Sequence, residues 1–450
     1  MTGKRSYFPP TAVLALITIS VALIIDARAA TERVLHTFAI QPNGDVPTGP
    51  VTADLEGNLY GGTAWGGFLD CPGSQGAGCG VIFALRPNPT GGWDESVLYR
   101  FNGADGASPN GGMVFDAAGN LYGTTYYGGT GPCTDGYQPG CGVIFKLTPN
   151  PSATEWRESV LYNFGGGSDG AHPDSGLIFD SAGNLYGVTG YGGGGSCSDP
   201  FGVGCGSVFD LTPSGNGSLW KENVLHTFRV ADGAYPTGPL IFDDAGNLYG
   251  TTWYGGRFGF GTVFELMNSE GQWQERLLHS FTNGQDGANP AAGLIADSNG
   301  NFFGTAAYGG LQVCYDDAGE VFGCGTAFTF RQGPNGNWNT RVIHSFTGGA
   351  DGQGGDDGAV PSGLTLDVAG NLYGDTTLGG NVSGAGMVFE LTRGLGVGGQ
   401  WTETVLHSFG GAQDGYEPRF TPLLTGAGDL FGTTQEGGTN NQGTVFEVTP

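Results

Sequence analysis

The sequence is poor in basic residues and contains none of the short motifs that mark several common enzyme classes. Lysine and arginine together supply 16 of 450 residues, against 42 aspartates and glutamates. A protein that grips phosphate backbones needs clustered cations, so nucleic acid is excluded as a partner. The chain also lacks a G-x-S-x-G nucleophile elbow, an H-E-x-x-H zinc pair and a phosphate-binding P-loop. These gaps exclude the enzyme classes that depend on those motifs.

One apolar run stands out, over residues 11–25, and no later segment is apolar enough to span a bilayer. Two basic residues precede the run, and Ala27-Arg28-Ala29 follows it. This order is that of a secretory signal peptide with an A-x-A cleavage site. An uncleaved anchor is the alternative, although the run is short for a membrane span. We predict a signal peptide over residues 1–29 and one mature domain over 30–450, secreted or held in the cell envelope without a membrane span.

The cysteines agree with export, because all eight fall in four close pairs. The pairs are Cys71 and Cys79, Cys133 and Cys141, Cys197 and Cys205, and Cys314 and Cys324. An even count with repeated local spacing in an exported chain predicts disulfides that close surface loops. Zinc binding is the competing interpretation, but the pairs lack C-x2-C spacing and no histidine lies beside them.

Two phrases recur seven times along the chain. A VLHTF-like phrase begins at Val34, Val97, Val160, Val224, Leu277, Val342 and Val405. A longer phrase, FDAAGNLYGTTYYGG at Phe115, has copies that begin at Ala53, Phe179, Phe242, Ala296, Leu366 and Thr425. Such self-similarity indicates one repeat array rather than several unrelated domains. The 90 glycines suit the many tight turns that short repeated strands require.

The unit around Gly250 shows what each repeat forms. Its residues 239–243, 248–252, 261–266 and 273–281 have the composition of four short strands separated by turns. A four-stranded unit is stable only when neighbouring sheets cover both of its faces. The sequence therefore predicts an all-β fold, a seven-bladed β-propeller with four antiparallel strands per blade. Because residues 31–38 carry a fourth-strand phrase and the chain stops after a third strand, we expect the N-terminal strand to complete the last blade.

The repeat resembles the GloVer-type tandem repeats of choice-of-anchor bacterial surface proteins. The matching residues are VLHSF, DGxxPxxGLxxDxxGNLYGTTxxGG and GTVFxL, and the resemblance covers essentially all of the mature chain. It implies export and a propeller-like β-fold, and it implies no particular reaction or ligand. The chain departs from the anchored pattern because it ends at Pro450 without a hydrophobic or sorting segment. We therefore expect a soluble, monomeric exported protein.

Two sets of residues recur on the face that carries the DGxxP connectors and the Tyr-Gly-Gly loops, which we expect over the central channel. The aromatic set is Trp65, Tyr127, Tyr191, Tyr254 and Tyr308, with Leu378 and Glu436 at the remaining positions. The acidic set is Asp105, Asp169, Asp232, Asp286, Asp357 and Asp414. The aromatics would stack on sugar rings, and the acids would accept hydrogen bonds or bind Ca²⁺, an ion that takes carboxylate oxygens as ligands. The alternative is that each set serves turns and packing, because it occurs once per blade.

Histidine gives one further candidate. Five of the six histidines occupy a single repeat position, which indicates packing between blades, and only His172 lies outside it. His172, Asp169, Arg257, Asp375 and Glu436 are the candidates for an acid, a base and a cation on the loop face. Nothing in their spacing requires catalysis.

The sequence thus favours a non-catalytic recognition or scaffold propeller whose partner is a glycan or a surface protein. An extracellular carbohydrate-active or lactonase-like enzyme, with its site in the channel, is the first alternative. A cell-envelope building block without a small ligand is the second. The formal net charge of −26 favours neutral glycans or cations over anionic polysaccharides.

Overall fold

The computed structural model describes residues 30–39, 43–134, 138–150, 155–195, 197–199, 202–214, 219–315, 321–348, 357–380, 384–394, 399–410 and 413–450. The predicted signal peptide lies outside these ranges. Within them the regular secondary structure is all β, and no helix with the length and apolarity to cross a membrane is found.

Seven antiparallel sheets follow one another along the chain, and we number them as blades I to VII. The strands of blade I are Asp45–Pro47, Thr52–Ala53, Leu59–Trp65, Val81–Pro87 and Trp93–Arg100. Those of blade II are Ala107–Phe115, Leu121–Tyr127, Val143–Thr148 and Arg157–Asn163. Those of blade III are Ile178–Phe179, Leu185–Thr189, Ser207–Ser214 and Leu219–Thr227. The strands of blades IV and V are Ala234–Phe242, Leu248–Tyr254, Thr262–Ser269 and Gln272–Ser280; and Ile295–Ala296, Phe302–Ala306, Thr326–Gln332 and Trp338–Ser345. The strands of blade VI are Ala359–Leu366, Leu372–Leu378, Met387–Arg393 and Trp401–Ser408. Those of blade VII are Tyr416–Pro418, Leu423–Leu424, Leu430–Glu436, Thr444–Thr449 and Thr31–Thr37. Small hairpins pair Ser198–Asp199 with Gly202–Val203 and Val313–Tyr315 with Val321–Gly323.

The strands of each blade pair in the order first, second, third, fourth, and the first strand is in two pieces in blades I and VII. This arrangement confirms the predicted seven-bladed propeller. Closure is also confirmed, because Thr31–Thr37 pairs with Thr444–Thr449 and supplies the fourth strand of blade VII. The two ends of the described chain thus share one sheet, which leaves no incomplete blade.

The turn between first and second strands is held by its own side chains. In blade II, Asp116 Oδ1 accepts the N–H groups of Ala118 and Asn120 at 2.9 Å each, and Asn120 Nδ2 donates to Asp116 Oδ2 at 2.6 Å. The carboxylate therefore closes the turn in the manner typical of aspartate before glycine and asparagine. This contact explains why Asp-x-x-Gly-Asn recurs, and it agrees with the hairpin predicted there.

The first strand of blade IV begins earlier than the pattern predicts. The sequence indicates residues 239–243, whereas the strand is Ala234–Phe242 with an irregular register between Thr237 and Ile241. Tyr235 N–H donates to Cys205 O of blade III at 2.9 Å instead of to its own sheet. The connector is therefore part of the strand because a contact with the neighbouring blade, invisible to local pattern, orders it.

A pair of phenylalanines fills each interface between blades. The fourth-strand phrase ends in a phenylalanine that meets a third-strand phenylalanine of the next blade edge-on, as in Phe228 against Phe264 at 5.0 Å. The other pairs are Phe38 and Phe83, Phe101 and Phe145, Phe164 and Phe209, Phe281 and Phe328, Phe346 and Phe389, and Phe409 and Phe446. Burying one such ring stabilises the fold by roughly 1.5–3 kcal/mol. A Cβ on Gly250 would lie 2.6 Å from the Phe264 ring, which explains the glycine of Leu-Tyr-Gly.

Acidic side chains meet at the outer side of the same interfaces. At the interface of blades II and III, Tyr162 Oη on blade II donates to Asp169 Oδ2 at 3.0 Å. Glu222, on the fourth strand of blade III, faces this aspartate. The equivalent positions hold Glu32, Glu95, Glu158, Glu275, Thr340 and Glu403, and each of the seven has a buried side-chain oxygen without a hydrogen-bond partner. Burial, and secondarily Asp169, raises the pKa of Glu222 to about 7.

Candidate functional site

A cavity of about 970 Å³ lies between the first strands of the blades. Every blade contributes to its wall, through Pro50, Asn110, Asp174, Thr237, Ala291, Ser362 and Arg419 among others. Cavities of roughly 300–1,000 Å³ are typical of small-molecule sites in proteins. The cavity is therefore the axial channel that the sequence pattern predicted, and its size suits a small ligand.

Side chains from one blade tie the wall to the next. Thr237 Oγ1 donates to Pro290 O at 3.1 Å, and Thr251 Oγ1 donates to Ala292 O at 2.9 Å. Asn110 Nδ2 donates to the Asp174 carboxylate across the boundary of blades II and III. These bonds fix neighbouring first strands relative to each other, so the channel wall is set before any ligand arrives.

Each blade has one non-glycine residue in the left-handed backbone region, directly before the connector proline. These residues, with φ between 51° and 58°, are Val46, Ser108, His172, Tyr235, Asn289, Val360 and Glu417, and we call them the left-handed ring. The N–H of each donates to a carbonyl of the preceding blade at 2.8–3.0 Å. A left-handed backbone costs a non-glycine residue roughly 1–2 kcal/mol. The hydrogen bonds between blades offset that cost and hold the ring in place.

The disulfides support this ring. All four predicted pairs are bonded, and no cysteine is left free for zinc. In each pair the second cysteine supplies a carbonyl that accepts the N–H of a ring residue; the acceptors are Cys79, Cys141, Cys205 and Cys324, for Ser108, His172, Tyr235 and Val360. Four such bonds are typical of proteins in an oxidising compartment.

Aromatic side chains form a continuous run beside the cavity, across blades II to V. The run consists of Tyr126, Tyr127, His172, Tyr191, Tyr235, Trp253, Tyr254 and Tyr308, and we call it the aromatic arc. Successive ring centroids lie 4.7–6.2 Å apart. Five of these residues, Tyr126, Tyr191, Tyr235, Trp253 and Tyr254, also line the cavity. Such a surface offers ring faces and edges to an apolar ligand surface.

Few charged groups reach the cavity. Burial raises the pKa of Asp174 to about 7, although the hydrogen bond from Asn110 opposes the shift. Arg419, on blade VII, donates from Nε and Nη2 to Glu417 Oε2 at 3.1 and 2.6 Å. Because Glu417 neutralises this guanidinium, the wall presents little net charge. The cavity thus combines an aromatic side with a small number of polar groups, as ligand sites commonly do.

The five aromatics selected from the sequence occupy one structural position, at the end of the second strand opposite the start of the first. The structure brings four of them, Tyr127, Tyr191, Tyr254 and Tyr308, into the aromatic arc. Trp65 pairs with Asp45 in blade I and lies outside the arc. Of the four, Tyr254 is the most open, with 49% of its surface exposed.

The acidic set lies farther from the axis, at the fourth strands. Asp286, Asp357 and Asp414 accept from His279, His344 and His407 Nε2 at 3.1–3.2 Å, and Asp105 and Asp169 accept from tyrosine hydroxyls. His226 Nε2 lies 3.5 Å from Asp232. The six acids therefore sit one per interface, each with its own partner. Ca²⁺ binding there stays a prediction.

One of these groups has the donor set of a divalent metal site. The ligand atoms of His344, Asp357 and Glu403 all lie within 4.8 Å of one another, and no other such group of three occurs in the part of the chain that the structure describes. Imidazole and carboxylate oxygens are ligands of zinc and related ions. The same three residues also complete the contact between blades V and VI.

The five candidates for catalysis lie on four different blades. His172 is 1% exposed, donates through Nδ1–H to Tyr126 O at 2.8 Å, and stacks on the Tyr126 ring at 4.7 Å. Asp169 belongs to the same connector but serves the outer interface. Arg257 is exposed and lies over the Phe258 ring, and Glu436 is exposed on blade VII. Asp375 is fully buried on blade VI.

Three residues of the arc, Tyr126, Tyr235 and Trp253, could not be identified from the sequence alone. Tyr126 and Trp253 directly precede the selected tyrosines, and alternation along a strand points them to the other side. Tyr235 lies in a connector that the pattern presents as a turn. The one available signal is that the residue before the connector proline differs in nearly every repeat.

Comparisons with known proteins agree with the repeat pattern. A family model described as the Gloeobacter/Verrucomicrobia repeat matches residues 23–201 and 73–322. No curated protein has a sequence that matches this chain.

Solved structures with a similar chain path are distant in sequence. They include a protein from Bacteroides uniformis provisionally assigned as a 6-phosphogluconolactonase, at 12% identity, 79% coverage of this chain, 84% of that chain and a TM-score of 0.48. A gluconolactonase from Xanthomonas campestris shows 16% identity, coverages of 77% and 86%, and a TM-score of 0.39. A luciferin-regenerating enzyme shows 12% identity, coverages of 91% and 92%, and a TM-score of 0.42. Likeness at this level carries no argument about activity.

Proposed function

Because the chain belongs to the Gloeobacter/Verrucomicrobia repeat family, whose repeat builds the blades described above, we propose that it is an exported recognition propeller. Its ligand is a neutral saccharide, which binds at the aromatic arc over the axial cavity. The observation that carries this proposal is the one-sided run of eight aromatic rings, five of which line the cavity.

The chemistry of the arc fits a sugar. A pyranose ring presents an apolar face of C–H groups, which packs on aromatic rings, while its hydroxyls need a few polar partners. Asn110, Asp174 and Thr237 supply polar groups to the same cavity wall. A neutral saccharide is favoured because the formal net charge of −26 repels anionic polymers.

Export is the second part of the proposal. It is supported by the signal-like residues 1–29, which lie outside the described ranges, and by the four disulfides. N-terminal sequencing of the protein recovered from cell envelope and medium tests it. A first residue of Ala30 is the expected result, and a retained Met1 in both fractions would contradict export.

The binding proposal is tested by calorimetry of the oxidised protein with neutral oligosaccharides of defined length. Tyr254→Ala should weaken binding about tenfold, which corresponds to 1.4 kcal/mol. Trp65→Ala is the matched control, because it removes an aromatic from the same repeat position outside the arc. Equal losses in the two variants would contradict a site at the arc. If this protein bound a surface protein and no saccharide, the proposed ligand class would be wrong.

The enzymatic alternative stays a prediction. Its five candidates lie on four separate blades, and His172 is a buried member of the arc. We therefore base the proposal on binding alone.

A further inference from the structure

All seven residues of the left-handed ring carry side chains that their backbone conformation does not require. Every ring residue has a backbone that glycine adopts without cost, yet none of the seven is glycine in a chain that contains 90. Since the backbone N–H of each residue already makes the bond to the preceding blade, a glycine would keep that bond. The side chains must therefore contribute something that the backbone does not.

Three ring residues use their side chains to join blades. Ser108 Oγ donates to Ala64 O at 3.2 Å, and Asn289 Nδ2 donates to Trp253 O at 2.9 Å. His172 Nδ1 lies 2.8 Å from Tyr126 O. The three acceptors occupy the same repeat position of the preceding blade. A structural role thus explains the serine, the asparagine and the histidine.

Tyr235 stands out in the ring because of where its side chain lies. Its ring contacts Tyr191 at 5.0 Å and Tyr254 at 5.6 Å, with interplanar angles of 66° and 83°. It lines the cavity together with both of these residues. The three rings form a corner at the centre of the aromatic arc. A bulky aromatic in the left-handed region is unusual, and strained residues of this kind are found where a site needs them.

We infer that Tyr235 is a specificity-determining residue of the channel, held in a strained backbone so that its ring forms the central wall of the saccharide corner. This inference rests on the proposed function and deepens it. The ligand is a saccharide whose terminal pyranose enters the corner of Tyr191, Tyr235 and Tyr254 with an apolar ring face toward Tyr235. A sugar with an axial substituent on that face is excluded by the flat wall.

The chain itself supplies the best substitution to test this role. Asn289 shows that asparagine suits the ring position, and asparagine tolerates a left-handed backbone far better than tyrosine does. Tyr235→Asn should therefore fold with a Tm no lower than that of the wild type, while its Kd for the neutral saccharide rises about tenfold or more. Tyr235→Phe should keep the Kd within about threefold, because the ring is retained. Val360→Asn is the matched control, since it relieves the same strain on blade VI away from the arc.

Each outcome of this set of measurements, calorimetry for Kd and thermal unfolding for Tm, decides a different point. A wild type that binds no neutral saccharide overturns the proposed function and this inference with it. A wild type that binds, with Tyr235→Asn binding equally well, overturns this inference alone. A Tm for Tyr235→Asn far below that of Val360→Asn would show that Tyr235 serves the fold and would also overturn it.

Discussion

Ser362 donates its hydroxyl to Asp375, a carboxyl group with no exposure to solvent. Asp375 occupies a repeat position that holds threonine in four other blades. Those residues, Thr124, Thr251, Thr305 and Thr433, each donate to a backbone carbonyl of the next blade at 2.9–3.3 Å. Asp375 Oδ2 has no hydrogen-bond partner, and burial raises the pKa of this carboxyl to about 8. Blade VI thus has a buried acid where the repeat has a donor.

Restoring the donor should stabilise the protein. We expect Asp375→Thr to raise the free energy of unfolding by about 1–3 kcal/mol, because an unsatisfied buried group is removed. Asp375→Val is the control, since Val188 fills this position in blade III and removes the acid without adding a donor. Chemical denaturation at pH 7 measures both variants. No gain in either would show that Asp375 is satisfied in solution.

Glu222 should make stability depend on pH. Its pKa in the folded state, raised to about 7 by burial with Asp169 and Asp210 opposed by Lys221, exceeds the usual 4.5. The folded state therefore favours the protonated form. This contribution is fully present below about pH 4.5 and is lost as the pH rises through about 7. Glu222→Gln should accordingly gain stability relative to the wild type at pH 8 and show little difference at pH 5.

Thermal unfolding of both proteins between pH 5 and pH 8 measures this effect. The substitution Thr340→Val at the equivalent position serves as the control, because it removes a polar atom that does not titrate in this range. A Glu222→Gln curve parallel to that of the wild type would mean that Glu222 does not titrate differently in the folded state.

Breaking one disulfide should affect binding through the left-handed ring. Cys205 O accepts the Tyr235 N–H at 2.9 Å, whereas Cys79 O accepts the Ser108 N–H at 2.8 Å. We expect the double variant Cys197→Ser/Cys205→Ser to lose about 2–4 kcal/mol of stability and to bind saccharide more weakly. The double variant Cys71→Ser/Cys79→Ser should lose comparable stability but keep its affinity. Equal saccharide affinities of the two variants would show that the Cys197–Cys205 disulfide does not support the binding site.

Much of the fold could be predicted because many of its contacts join residues that are close in the sequence. Each Asp-x-x-Gly-Asn turn closes on its own carboxylate, and each cysteine pair bonds within one loop. The aromatic arc could not be predicted in full, because contacts such as Tyr235 against Tyr191 depend on how blades III and IV meet. Trp65 also shows that the repeat position alone does not predict membership of the arc. It shares the repeat position of Tyr254, but the ring residue of the next blade is Ser108, which is not aromatic, whereas His172 and Tyr235 link the arc between blades.

The closure of blade VII sets an order of events during biogenesis. Thr31–Thr37 is made before any other strand described here, yet its partner Thr444–Thr449 is made last. A growing chain can complete the sheets of blades I to VI as they emerge, while its earliest strand waits unpaired. The ring can therefore close only after Thr444–Thr449 has emerged, and a nascent chain released before residue 444 would carry an open edge on which a second chain could pair.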